Sequence, residues 1–276
     1  MHSTRHKHDH EFAGGIRRPC PSLPQRSCVG RPYREPVLTI DEQTPTGLNI
    51  FAIPDIPEIQ PGDDLAAMLA SSTIYLPHDV LVVTQKVVSK AEGQLVAIDP
   101  SDPLAHKAIV EQESVRILRR RGELIISETA HGFVCANAGI DLSNVERGQA
   151  ALLPVDSDRS ARRIRDVVRA QQGIEIGVII SDTFGRPWRR GVTDVAIGSA
   201  GIGPILDLRG TEDSLGRELM VTEVAVVDEI AAAAELVMGK STGLPAAVVR
   251  GIPADWFRTG SVKDDIVRSP ADDLFR

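Results

Sequence analysis

Ile174-Glu-Ile-Gly-Val-Ile-Ile-Ser181 runs directly into Asp182-Thr-Phe-Gly-Arg-Pro-Trp-Arg-Arg-Gly-Val-Thr-Asp194. The first stretch is apolar enough to read as a buried strand, and the second spends carboxylates, arginines and glycines together where that strand ends. Upstream, Asp156 to Gln172 has the helical period, with Ala161, Ile164, Val167 and Val168 on one face, Ser157 or Asp158 as its cap and Gly173 as its stop. A helix feeding a buried strand, repeated along the chain, predicts a mixed α/β (α+β) protein.

Working outward, Leu48 to Ile53 reads as a first strand. Turn-rich residues 54–62 follow, then a short helix beginning near Asp63. Asp79 to Val88 is strongly β-like, with Val80 to Val83 consecutive, and predicts a buried strand running into a loop at Ser89. Leu104 to Arg121 predicts a helix marked by Ile109, Val110, Ile117 and Leu118, and Glu123 to Ser127 a strand. Thr222 to Met238 predicts another helix, stopped by Gly239, with Ala246 to Val249 as the next strand. No repeat of solenoid type and no Pro/Gly-rich linker interrupts residues 45–255.

With 276 residues, 42% of them apolar, the chain can bury a real core. Its best apolar stretch, Glu223 to Met238, is broken by Asp228, Glu229 and Glu235, which excludes a membrane-spanning segment. Residues 1–37 carry His2, His6, His8 and His10, five prolines and seven Lys or Arg against three acids, and read as a disordered extension without the apolar core of a secretory signal. A flexible His-rich tail would first have to order itself to select a transition metal. Beyond it stand 24 basic and 35 acidic residues, a balance that repels nucleic-acid backbones while suiting a cleft that recruits divalent cations. Cys20, Cys28 and Cys135 make an odd set, which argues against a disulfide framework and for a reducing cytoplasm.

Three segments can carry chemistry. In the first, Asp182 and Thr183 offer hard oxygen donors to Mg²⁺ or Mn²⁺, and Arg186, Arg189 and Arg190 could hold phosphates or carboxylates; an Asp-Thr after a strand is also commonly just a turn or a cap. In the second, Cys135 to Asn144, Asp141 is another oxygen ligand with Asn137 and Asn144 beside it, unless this is an Asx-rich loop bonded to itself. In the third, Thr84 to Gly93, Lys86 and Lys90 could neutralise phosphates or could be a solvated strand end. Cys135 beside His131 is not a nucleophile pair, because nothing nearby orients it.

Two glycine motifs are demoted. Met238-Gly-Lys-Ser-Thr242 imitates the end of a P-loop, yet Ala234 stands where its first glycine belongs and a helix precedes it. Gly198-Ser-Ala-Gly-Ile-Gly203 reverses the dinucleotide spacing. The fold is therefore neither P-loop nor Rossmann, although both stretches could still bring backbone N–H groups near phosphates.

Taken in order and spacing, residues 56–65 (Ile-Pro-Glu-Ile-Gln-Pro-Gly-Asp-Asp-Leu), 87–93 (Val-Val-Ser-Lys-Ala-Glu-Gly), 137–144 (Asn-Ala-Gly-Ile-Asp-Leu-Ser-Asn), 152–156 (Leu-Leu-Pro-Val-Asp), 181–189 (Ser-Asp-Thr-Phe-Gly-Arg-Pro-Trp-Arg) and 223–230 (Glu-Val-Ala-Val-Val-Asp-Glu-Ile) resemble the coenzyme F-420-0:L-glutamate ligase family. The resemblance covers about 45–255, taken as the ligase domain, with 256–276 as a C-terminal tail. It extends to the amino-terminal half of the longer mycobacterial-type ligase, including Asp272-Asp-Leu-Phe275, while that ligase's flavin-binding, nitroreductase-like half has no counterpart in these residues.

The resemblance implies a family-specific fold of two intertwined lobes, a homodimer, and a GTP-dependent reaction. The terminal carboxylate of the lactyl-phosphate side chain of F-420-0, a deazaflavin, is phosphorylated and then attacked by the amine of L-glutamate, and further glutamates join through γ-linkages. It implies Asp141, Asp182 and Thr183 as ligands of Mg²⁺ or Mn²⁺, two ions in all, with K⁺ as a further cation. It implies nucleotide contacts from Ile56, Pro57, Glu58, Ile59, Gln85, Lys86, Lys90 and Asn144, and from the loop Met238, Gly239, Lys240, Ser241, Thr242, Gly243, Leu244 and Pro245. One family pattern has a Gln metal ligand where this chain has Lys240, and an ammonium cannot ligate while protonated. Position beside Asp182 makes Arg186 and Arg189 candidates for the substrate's phosphate or carboxylates. The competing readings are a non-catalytic GTP- or F-420-binding regulator and a ligase for another acid or amine.

Overall fold

The computed structural model describes residues 47–273. The His-rich extension 1–37 and Phe275 lie outside the described residues. In chain order the elements are β1 (Asn49–Ala52), α1 (Leu65–Ser72), β2 (Val80–Thr84), α2 (Gln85–Ala91), β3 (Leu95–Ala97), α3 (His106–Gln112), β4 (Ser114–Arg121), β5 (Leu124–Thr129), β6 (Val134–Ala136), β7 (Gln149–Ala151) and α4 (Ser157–Gln172). There follow β8 (Gly177–Arg186), β9 (Arg189–Ala200), β10 (Leu206–Asp207), β11 (Glu223–Val224), α5 (Val226–Met238), β12 (Ala246–Arg250) and α6 (Val262–Asp265).

A five-stranded sheet, ordered β1-β12-β2-β8-β9, carries the molecule. β2 and β8 run parallel and the other neighbours antiparallel. Both faces are covered, which is why its strands read as unbroken apolar runs. Leu81, Val83, Val178, Ile180, Ala246 and Val248 face one core, shared with Leu65 and Leu69 of α1 and Ala161, Ile164 and Val168 of α4. Their alternates Val80, Val82, Ile179, Ala247 and Val249 face a second core with Val227, Ile230, Ala234 and Met238 of α5 and Val262 of α6. Between α2 and α4 the chain builds the smaller sheets β4-β5-β6 and β3-β7 around Val110, Ile125, Ile140 and Ala150, so the mixed α/β class is found.

Four local expectations are corrected. Gln85 to Val88 is helix and not strand: Gln85 Nε2 donates to Ser89 Oγ (2.7 Å) and to the Leu152 carbonyl (2.8 Å), so a buried polar turn outweighs β-branched propensity. Ser114 to Arg121 is strand and not helix, because Ile117 packs on the small core and pairs opposite Ser127 of β5. The cap of α4 is Asp156, whose Oδ1 accepts from Arg159 N–H (2.8 Å). The helix expected from Thr222 begins at Val226, since Glu223 and Val224 first pair with β10.

The consequential correction is at the opening segment. β8 does not end at Asp182 but continues to Arg186, turns through Pro187 and Trp188, and returns as β9. Asp182 and Thr183 therefore sit in sheet register, opposite Val195 and Asp194. The glycine stretch 198–203 begins within β9.

Candidate functional site

The site forms where this hairpin, the start of α2, the 137–144 loop and the end of α5 meet. Thr183 Oγ1 donates to Asp194 Oδ1 (2.5 Å) and Ser181 Oγ to Asp194 Oδ2 (3.2 Å), so a buried carboxylate is held by two hydroxyls from the facing strand. Asp141 is fixed by a bridge to Ala151 and accepts the Ser143 N–H at its Oδ1 (2.7 Å). Lys86 reaches over from α2 and places Nζ 2.8 Å from Asp141 Oδ2 and 2.7 Å from Ser143 Oγ.

Asp182 feels the charge of both carboxylates. Burial, with Asp141 and Asp194 as like charges, pushes its carboxyl up to about 7, against the pull of the Thr183 N–H and Lys240. Burial also works to raise the Asp141 carboxyl, but the Lys86 and Ser143 hydrogen bonds outweigh it and leave the group below its ordinary value. Lys240, from the loop after α5, touches the Thr183 hydroxyl, lies 3.6 Å from Asp194 Oδ1 and 4.0 Å from Glu235 Oε1. Glu235 is raised by burial and by Asp194. The Cys135 thiol, buried nearby, is pushed to about 12 by burial and by Asp182, which agrees with its rejection as a nucleophile.

A cleft of about 300 Å³ opens beside this cluster. Ile56, Pro57, Glu58, Ile59, Lys86, Lys90, Asn144, Met238, Gly239, Lys240, Ser241, Gly243, Leu244 and Pro245 line it, so most of the nucleotide contacts implied by resemblance converge on one place. One helical turn explains part of this, because Lys86 and Lys90 are four apart on α2 and share a face. Lys90 pairs with Glu58, and Asn144, at a positive φ of 53°, directs Nδ2 to the Lys240 carbonyl (3.5 Å).

Other expected residues stand elsewhere. Gln85 is buried behind the cleft on Ser89 and Leu152, and the Thr242 hydroxyl turns back on the Met238 carbonyl. Arg186 and Arg189 stand at the exposed hairpin tip, away from the cleft lining. Sequence reading missed Asp194, Glu235 and Ser143. Asp194 closed the opening segment, but Pro187-Trp188 lacks the Asn or Gly of the common two-residue hairpin turns, so nothing local set it beside Thr183.

The donors suit a hard divalent cation. Among the described residues no three His, Cys, Asp or Glu side chains gather into a self-sufficient cage. Mg²⁺ needs none, since it is commonly held by one or two carboxylates with substrate phosphates completing the shell. Among the same residues no helix is long and apolar enough to cross a membrane.

Fold and site together define a mixed α/β protein whose cleft sets ammonium groups against clustered carboxylates. Residues 54–251 match the F420-0:Gamma-glutamyl ligase family. The coenzyme F420:L-glutamate ligase of Methanopyrus kandleri is 42% identical over 246 residues, covering 83% of this chain and 98% of that protein. Those of Methanothermobacter thermautotrophicus (41% over 251 residues; 83% and 99%) and Archaeoglobus fulgidus (39% over 243 residues; 83% and 96%) are similar. The chain belongs to the F420-0:gamma-glutamyl ligase family, and it is a ligase enzyme.

Proposed function

We propose that the protein joins L-glutamate to F-420-0 in coenzyme F-420 biosynthesis, at the expense of GTP, and extends the product with γ-linked glutamates. The observation that carries this is the lysine-lined cleft, whose Lys86 pairs with Asp141 and whose Lys240 approaches Asp194. Ile56 to Ile59 and Gly239 to Pro245 form the nucleotide walls, and Lys86 and Lys240 meet the phosphates. The acid substrate's carboxylate oxygen attacks the γ-phosphorus, GDP departs, and the acyl phosphate is then attacked by the glutamate amine with release of phosphate. No protein nucleophile is required.

Asp141, Asp182 and Thr183 would hold Mg²⁺ or Mn²⁺, which when bound offsets the charge of the transferring phosphoryl group. The family pattern supports two such ions, K⁺ and a homodimer, and the odd cysteine set supports the cytoplasm. Arg186 and Arg189 are proposed to meet the substrate's phosphate.

The test is full-length protein with GTP, Mg²⁺ or Mn²⁺, F-420-0 and L-glutamate, read by mass spectrometry. A glutamyl mass increment with matching GDP is expected. GTP bound without either product would reject the reaction.

A further inference from the structure

The hairpin that carries Asp182 and Asp194 extends well past them, and its tip is unlike an ordinary solvated turn. Arg186 faces Arg189 across the two-residue turn Pro187–Trp188, and Arg190 follows, so three arginines flank one tryptophan in sequence. Trp188 is 82% exposed. Exposed apolar residues are common singly, but this one has three arginines within two positions of it on a chain whose net charge is −7.

A side-chain hydrogen bond also closes the tip. Arg186 Nη2 donates to the Arg190 carbonyl (2.8 Å), tying the turn across itself. One residue before the exposed stretch, Phe184 packs on the core and meets Phe133 edge-on at 6.0 Å. The four residue steps from Asp182 to Arg186 span about 13 Å of strand.

Resting on the function proposed above, we infer that this tip is the recognition platform for the planar, phosphate-bearing end of the acid substrate, with Trp188 as its stacking surface. The order of groups supports it. Along the hairpin come carboxylate-side acids, then guanidinium groups, then an indole. Along the substrate come the reacting carboxylate, then a phosphate a few bonds away, then a flat ring system. Arginine suits the phosphate by its forked donors, and tryptophan suits the ring by its broad, rigid face. Placing recognition energy on a remote ring leaves the reacting end free to move through its transition state.

Trp188 and Trp256 are the chain's two tryptophans, so intrinsic fluorescence reads the platform directly. Titrating the full-length protein with F-420-0 alone should quench emission, and W188F should abolish most of that change. In steady-state assays W188A should raise KM for F-420-0 about tenfold with little change in kcat, while W188F stays within about threefold of the parent. 2-Phospholactate, which has the carboxylate and phosphate without the ring, should be handled equally by the parent and W188A.

An unchanged KM in W188A, an equal loss on 2-phospholactate, or quenching that persists in W188F would each overturn the inference. Should the parent fail to add glutamate to F-420-0, the functional reading falls by itself, and the quenching titration still decides the platform.

Discussion

Lys240 Nζ lies 3.6 Å from Asp194 Oδ1 and shares the Thr183 hydroxyl with it, so an exposed loop ammonium meets a carboxylate buried at 3% exposure. Asp194 keeps two hydroxyl donors, from Ser181 and Thr183, whether or not the lysine is present. Lys240 is therefore placed to serve the cleft more than the fold. K240M should raise KM for GTP about tenfold and change thermal stability little, since the Ser181 and Thr183 hydroxyls still satisfy Asp194. An unaltered KM would reject a phosphate role for this lysine.

Gly198 gives a prediction and also shows where sequence reading stops. Val80 to Val83, Ile174 to Ser181 and the stripe of α4 were legible because burial on both sheet faces, or on one helix face, leaves a period in the chain. The glycines at 198–203 carry no such period, and their spacing invited comparison with phosphate loops. A Cβ at Gly198 would stand 2.3 Å from the Ser157 carbonyl carbon, so this glycine exists to let α4 approach β9. G198A should destabilise by about 3 kcal/mol or more, read as a lowered midpoint in urea with unchanged slope. Full stability would refute the close-packing account.

The candidate site was legible only in pieces. Asp141, Lys86 and Lys90 lay in loops or strand ends on sequence grounds, and the unforeseen turn into α2 is what puts both lysines on one face. Asp194 and Glu235 come to the cluster through β-hairpin register and a helix end, long-range pairings that leave no local pattern.

Asp158 ties the C-terminal segment to the main sheet. Its Oδ1 accepts the N–H groups of Ser199 (2.8 Å) and Val262 (2.9 Å), and its Oδ2 that of Lys263 (3.2 Å), all from a side chain that is 6% exposed on average over the residue. D158A leaves these donors without that acceptor and should cost about 3 kcal/mol, with D158N recovering part because one carbonyl oxygen remains. Hydrogen exchange should show α6 losing protection first. Uniform loss across the sheet, with α6 no worse than β2, would contradict this anchoring.

Asp182 supplies the pH dependence. Its folded-state carboxyl is raised from 3.8 to about 7, by burial first and then by Asp141 and Asp194, so the native state binds the extra proton between those values. Stability of the metal-free protein must then fall as pH rises through that window, and the penalty is complete above pH 7. Asparagine removes the charge at nearly constant shape. D182N in chelator should thus be more stable than the parent at pH 8, by about 1–3 kcal/mol once partial hydration is allowed for, with a smaller gain at pH 5.5. Added Mn²⁺ should stabilise the parent at pH 8 and leave D182N unmoved, and turnover by D182N should be lost. Melting curves at the two pH values, with and without Mn²⁺, separate the contributions: a parent that gains stability with rising pH in chelator would show that Asp182 is not held protonated among its neighbours.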